Sequence, residues 1–385
     1  MSIVSSASGS VLITSGGLFS NHSGSVAYGP KQVSDGLVLY VDAANPLSYP
    51  GSGDIWYDLT KNNYSGSLSG SVAVVPSWDS IDQGRIHIKA SSSYVIPGTD
   101  LNTPMSSSFV NFGKILDNVF VGTGSIKGTT QGGGGNIATG TSPTFTINLW
   151  FEIDYSKQIA QSISSGLTSR DWFPRRNFPM LVAKYADNII VESGPGWIGS
   201  NLGENRHFYI GLFFPSAWDK TTDTPLPNVT TNPYYIRAEF SENPQSIGGT
   251  TRRPIIITNT QYTIPDKEPI NVCITFDYTQ PANNGRVKLY VNGYKTVGDT
   301  VSGASTTGNY LGSNSALSLG AWVGATDRQL EGSINGPTPA SALGTAYQSD
   351  AYFYLFQVYN RALTPQEVEQ NYFAHRYRFR PWQTL

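Results

Sequence analysis

The sequence predicts an all-β sandwich, and three observations carry the prediction. Gly, Ser, Thr, Asn, Pro and Tyr are abundant while charged residues make up only 14% of the 385 positions, a balance that favours strands and turns over exposed helices. Arg85-Ile86-His87-Ile88-Lys89 alternates polar with apolar residues, the period of a half-buried strand. Aromatic and β-branched runs at Thr144 to Asp154, Pro269 to Tyr278 and Tyr352 to Leu363 read as buried strands.

In chain order, residues 1–34 are Ser- and Gly-rich with scattered Val, Ile, Leu and Phe. They form an arm and a candidate anchor, which either pairs along a sheet edge or a neighbouring protein by strand addition, or packs on its own domain. Residues 35–385 read as a single domain. Its first elements are a strand from Asp35 to Asp42, a turn at Trp56, and strands at Ser67 to Val75, Arg85 to Lys89 and Ser93 to Pro97. His87 lies on the polar side of its strand, as a solvated or hydrogen-bonded histidine.

Residues 98–143 depart from the compact strand pattern, and within them Gly122 to Ser142 reads as a long glycine loop inserted at the surface. This loop lacks the strand-then-helix setting and Lys-Ser/Thr ending of a phosphate cradle. Residues 155–180 read as a second insertion, in which Lys157 to Ser164 is a brief helix and Trp172 to Arg176 either an exposed anchor or a plug. Strands then follow at Met180 to Tyr185, Ile189 to Glu192, His207 to Phe214 and Tyr234 to Phe240, with a Pro/Asn/Thr-rich loop from Asp219 to Asn232.

Asn292-Gly293 closes a hairpin between Gly285 and Lys295, because both central residues of a type I′ turn need positive φ. A strand at Leu317 to Trp322 and a loop from Gly332 to Asp350 lead to the last strand. A short helix follows, opened by Thr364 as N-cap, Pro365 at the first helical position and Glu367 three residues after the cap. The tail from Ala374 to Leu385 alternates Arg376, Arg378 and Arg380 with Tyr377, Phe379 and Trp382. It either tracks an acidic partner strand or folds back on the sandwich.

The formal net charge of −2 gives no basic footprint for nucleic acid. Cys273 is the single cysteine, so no internal disulfide forms, and its apolar neighbours place it in the core. No apolar run reaches the roughly 20 residues of a membrane helix, and Met1 to Ser6 lacks the basic start of a secretory signal. The expectation is a soluble protein made in a cytoplasm, with neither membrane nor nucleic acid as partner.

Several of these segments resemble one family. Asp35-Gly36-Leu37-Val38-Leu39-Tyr40-Val41-Asp42, the Trp56-Tyr57-Asp58-Leu59-Thr60 turn with Asn62 and Gly66, the Val287 to Gly293 hairpin and the closing Val358 to Tyr372 stretch are similar to the laminin-G-like, concanavalin A-like lectin/glucanase domains. The version with Tyr40 to Gly53 resembles copies in structural proteins of tailed bacteriophages. The matches bracket residues 35–379. The resemblance implies a jelly-roll β-sandwich with long loop insertions, an N-terminal arm and one short C-terminal helix. It further implies a non-enzymatic virion structural protein, as head decoration, fibre or tail component. Such a protein would be assembled in the host cytoplasm as a homo-oligomer on other virion proteins, and would bind host surface polysaccharide. The alternatives are a carbohydrate-binding host-adhesion module and, further off, a glycoside hydrolase.

Glycosidases on this fold carry alternate carboxylates on one strand as nucleophile and acid. Glu152 and Asp154 match two of those positions, but Ser156 or Lys157 stands where the third is required, so catalysis is not expected. Family members also bind calcium through sandwich-end loops. Six to eight oxygen ligands are needed, and Asp187, Asp277 and Asn284 are the candidates; no cofactor is otherwise required. Candidate aromatic platforms for sugar rings are Trp197, Trp218, Tyr234, Tyr235 and Trp322.

Overall fold

The computed structural model describes residues 2–6, 9–14, 17–19, 30–70, 75–89, 108–113, 115–121, 126–128, 136–138, 143–155, 180–186, 205–213, 218–219, 224–225, 234–240, 242–243, 255–258, 262–280, 285–296, 309–310, 316–320, 322–325, 344–346 and 350–379. Two eight-stranded antiparallel sheets form the sandwich. The first runs in the order Tyr294–Lys295, Val287–Val291, Ile270–Asp277, Thr144–Ile153, Ala351–Tyr359, Arg85–Ile88 and Ser77–Asp79, and Leu37–Asp42 also pairs with Ala351–Tyr359. The second runs Ile255–Thr258, Tyr235–Phe240, Asn205–Phe213, Met180–Ala186, Leu317–Leu319, Ser108–Gly113, Ser65–Gly70 and Ile55–Tyr57. The chain is therefore an all-β jelly-roll sandwich, closed by pairing its first body strand with its last.

Alternation along Thr144–Ile153 explains the layering. Phe145, Ile147, Leu149, Phe151 and Ile153 enter the inter-sheet core, so the intervening Thr146, Asn148, Trp150 and Glu152 lie on the opposite face. That face is also covered, which is why the whole strand is apolar or hydrogen-bonded. Between the sheets, the rings of Phe120, Phe145, Phe208, Phe240 and Phe276 meet at centroid distances of 5.0–6.2 Å. Cys273 is buried in the Ile270–Asp277 strand, where desolvation pushes its thiol well up from the ordinary value.

The C-terminal helix, Pro365–Phe379, covers the outer face of the first sheet. Its capping box is formed as the sequence predicts: the Glu367 amide donates to Thr364 Oγ1 at 3.3 Å, and the Thr364 amide donates to Glu367 Oε2 at 2.9 Å. Hydrogen bonds from Arg361, with those from Thr364 behind them, hold the Glu367 carboxyl down to about 2 against its partial burial. Val368, Tyr372, Arg376 and Phe379 recur at helical spacing on the buried side. Trp150 lies parallel to Tyr372 at 5.6 Å and stacks on Phe379 at 4.4 Å. The helix is longer than expected, since Ala374 to Phe379 continues it. A two-residue alternation of Arg with aromatics resembles a strand. The 3.6-residue period instead unites Tyr372, Arg376 and Phe379 on one face, and no Pro intervenes before Pro381.

Lys31 to Val33 lie beside this helix. The Val33 amide donates to Asn371 Oδ1 at 2.8 Å, Tyr359 OH donates to the Val33 carbonyl at 3.1 Å, and Gln370 Nε2 donates to the Lys31 carbonyl at 2.6 Å. Asn292 and Gly293 have φ of 51° and 83° and join the paired residues Val291 and Tyr294, the predicted type I′ turn. The Trp56 turn also acquires its reasons. Trp56 is fully buried, the Asp58 carboxylate accepts the amides of Tyr40, Thr60 and Tyr64, and Asn62 Nδ2 donates to the Val38 carbonyl at 2.8 Å.

Some readings are corrected. Residues 98–121, to which the sequence assigned no element, contain Ser108–Gly113, an interior strand of the second sheet, and Asp117–Val121, a short helix whose Phe120 enters the core. Ile126–Gly128 pairs with Asn136–Ala138 inside the glycine stretch, and Trp218–Asp219 pairs with Thr224–Pro225 inside the Pro/Asn/Thr stretch. Residues 2–19 contain a three-stranded meander, Ser2–Ser6, Gly9–Thr14 and Gly17–Phe19. Ser93 to Pro97, Lys157 to Ser164, Trp172 to Arg176 and Ile189 to Glu192 lie outside the described residues.

Candidate functional site

A β-bulge organises the charged cluster on the helix-covered face. Trp150 pairs with Leu355 and Phe151 with Phe353, so Tyr354 is the extra residue. The bulge divides the edge of the last strand. Leu37–Asp42 pairs with its Leu355–Tyr359 half and Arg85–Ile88 with its Ala351–Phe353 half. Tyr354 and Leu355 consequently both join the aromatic cluster beneath the helix, and Tyr354 OH reaches Glu152.

Both oxygens of Glu152 are held. Arg85 Nη1 donates to Oε1 at 2.9 Å and Tyr354 OH donates to Oε2 at 2.7 Å. Arg85 Nε also binds both oxygens of Asp79, at 2.9 and 3.0 Å. Burial opposes the Arg85 charge, but bonds to Tyr354 and Asp79 and the field of Glu152 raise its pKa further still. Burial, reinforced by Glu152, likewise pushes the Tyr354 phenol well up. Asp154 Oδ2 lies 3.5 Å from Lys267 Nζ. This arrangement can clamp strands together. A glycosidase instead needs a carboxyl acid and a second carboxylate facing the two sides of an open cleft.

The helix closes the junction from above. Arg378 donates from Nη1 to Asp42 Oδ1 at 2.6 Å, from Nε to the Asp82 carbonyl at 2.8 Å, and from Nη2 to the Gly84 carbonyl. Asp82, Gln83 and Gly84 have φ of 49°, 72° and 138°, so three successive residues in left-handed backbone are held where the two half-strands meet. His87 packs on Tyr352 at 4.1 Å, and its Nε2 lies 2.8 Å from Asp350 Oδ1.

The candidate sugar platforms separate. Tyr234 is 4% exposed and belongs to the core, its ring edge-on to Tyr155 at 4.9 Å; burial pushes its phenol up, and the ring has no open face for a sugar. Tyr235 is half-buried. Ile236, Ala238 and Phe240 point into the core, so Tyr235 and Arg237 take the outward side of the second sheet. Trp218 and Trp322 are placed by backbone alone, in the Trp218–Asp219 and Trp322–Ala325 strands. Trp197 lies outside the described residues, as do Asp187 and Asn284.

Asp277 closes its own turn, its carboxylate accepting Thr279 N at 3.0 Å, Thr279 Oγ1 at 2.6 Å and Gln280 Nε2 at 3.3 Å. Among the described residues no group of three or more His, Cys, Asp or Glu could hold a metal ion. Sequence reasoning missed Arg85, Tyr354 and Arg378 as partners of the acidic side chains. The one available signal was Arg85 on the same side of its strand as His87, and it pointed to solvent because no local pattern shows which sheet face the C-terminal helix covers.

No protein-family model and no curated protein sequence matches the chain. Among solved structures, the chain is similar to domain 4 of AbnA, a GH43 extracellular arabinanase from Geobacillus stearothermophilus, at 14% identity and a TM-score of 0.36, covering 87% of this chain and 97% of that one. It is also similar to the binding domain of Paraclostridial Mosquitocidal Protein 1, at 14% identity and a TM-score of 0.40, covering 88% and 52%. A third is the botulinum neurotoxin type G receptor binding domain, at 11% identity and a TM-score of 0.40, covering 88% and 51%. The chain thus spans about half the length of the two toxin structures. At these scores the assignment to an all-β sandwich rests on the strand pairing itself.

Proposed function

We propose that the chain is a non-enzymatic structural protein of a bacteriophage particle, a head decoration, fibre or tail component whose sandwich body is carried by other virion proteins. The phage assignment is supported by the sequence resemblance of the Tyr40 to Gly53 stretch, and the lectin-like body by that of the Asp35 to Gly66 and Val287 to Tyr372 segments. The observation that carries the non-enzymatic part is the occupation of both Glu152 oxygens by Arg85 and Tyr354 beneath the C-terminal helix. A carboxylate built into a strand junction serves packing, and the chain needs no cofactor for that role. The test is whether purified particles contain the chain in fixed proportion to their shell protein, while the isolated protein releases no reducing sugar from host polysaccharide.

A second reading, a carbohydrate-binding host-adhesion module, is favoured by Tyr235 beside Arg237 on the outward side of the second sheet. A half-buried aromatic ring next to a polar side chain suits a sugar's apolar face and hydroxyls. Tyr235→Ala is expected to weaken retention on a host-glycan array at least about tenfold, the equivalent of 1.4 kcal/mol. Unchanged retention, or none by the parent protein, removes the adhesion reading.

A further inference from the structure

The N-terminal meander stands apart from the sandwich in its pairing. Ser2–Ser6 pairs antiparallel with Gly9–Thr14, which pairs antiparallel with Gly17–Phe19. Among the described residues neither outer strand of this sheet pairs with any further strand. Its register aligns Ile3, Leu12 and Phe19 in one cross-strand row, and Ser2, Ile13 and Leu18 in an adjacent row. Adjacent rows belong to opposite faces of a sheet, so apolar positions fall on both.

Composition narrows what can cover such a sheet. Residues 1–30 contain no Asp, Glu, Lys or Arg, and no Pro before Pro30. Natural sheet edges are ordinarily protected from pairing by Lys, Pro, bulges or inward charges, and none of those residue types occurs in these three strands. A short strand of high β-propensity without charge or Pro is the type that pairs with identical copies of itself. Three strands of five, six and three residues also make a small sheet, whose stability depends on burying an apolar face.

We infer that the meander is a self-association element, in which the Ser2–Ser6 edge of one chain pairs antiparallel with the same edge of a second copy. A two-fold contact of this kind is self-complementary, each chain supplying the same strand. Absence of charge means that the two edges meet without repulsion, and backbone N–H and C=O groups supply the contact. The sandwich body follows in the chain from Pro30 onward, where Lys31 to Val33 are fixed to the helix and last strand. This inference deepens the proposed architectural role by naming a copy of the chain as partner. Its test needs no phage particle, so it fails or stands separately from the virion assignment.

The experiment is sedimentation equilibrium of the full chain and of two full-length variants across a concentration series. Val4→Lys places a charge at the centre of the outer strand, while Val4→Thr preserves strand propensity without charge. The parent chain and Val4→Thr are expected to sediment as a dimer or a multiple of it, and Val4→Lys at the single-chain mass of 41.7 kDa. A parent chain at single-chain mass throughout, or a Val4→Lys variant at the parent's mass, overturns the inference. So does a changed near-UV circular dichroism spectrum of Val4→Lys, because it would show that the meander packs into the sandwich.

Discussion

Replacing Arg85 by Ala tests the clamp at its centre. The side chains of Arg85 and Glu152 are each 9% exposed, whereas that of Asp79 is 38% exposed. Removing the guanidinium leaves Glu152 buried with Tyr354 still bound to it. Stranding one member of a buried ion pair costs about 3–5 kcal/mol, and the Tyr354 bond that survives places this case at the lower end. The exposed Asp79 contact adds only about 0–1 kcal/mol. Loss of the guanidinium 3.8 Å from the Tyr352 ring centre adds about 0.5–1 kcal/mol. The sum is about 4 kcal/mol, a large share of the roughly 5–15 kcal/mol that holds a typical domain folded. Urea unfolding of Arg85→Ala, followed by near-UV circular dichroism, measures it. Arg85→Met combined with Glu152→Leu removes both charges and is expected to recover most of the loss. An Arg85→Ala protein within about 0.5 kcal/mol of the parent, the range of ordinary surface substitutions, would refute the clamp, as would a double variant no more stable than the single one.

Acid should loosen the helix. His375 keeps some exposure, yet its Nε2 is sealed from solvent without a hydrogen-bond partner among the described residues. Burial, aided by Arg378 and opposed by Asp42, lowers its pKa to about 4. The unfolded chain takes up this proton near pH 6.5, so the contribution is fully present above about 6.5 and is lost as pH falls toward 4, by at most about 3 kcal/mol. The parent should therefore lose more stability than His375→Leu between pH 7 and 4.5, and equal losses would remove His375 as the cause. At Gly293, φ is 83° and a Cβ would lie 2.8 Å from Tyr372 Cβ; Gly293→Ala should cost about 1–3 kcal/mol, read as a lower urea midpoint.

The parts of the fold that depend on short-range rules were legible in the sequence. Thr364 and Glu367 define the helix start, and Asn292-Gly293 defines its hairpin, because each is decided within a few residues by orphan backbone donors or by positive φ. Thr144–Ile153 and Ile270–Asp277 were visible because both faces are buried. Ser108–Gly113 was hidden, since Phe109, Val110 and Phe112 are few apolar residues in a Ser- and Gly-rich setting. Tyr234 and Tyr235 show why the site was less legible: neighbouring strand residues face opposite sides, and only register decides which one enters the core. The Arg85 cluster depends on contacts across 67 and 269 positions, which no local pattern encodes.

The most direct measurement of the proposed virion role is quantitative mass spectrometry of gradient-purified particles from a culture that produces the chain, alongside the lysate of the same cells. A virion structural protein predicts peptides from the sandwich at a fixed copy ratio to the shell protein through successive gradients. Abundant chain in the lysate but none in the particles would contradict that role.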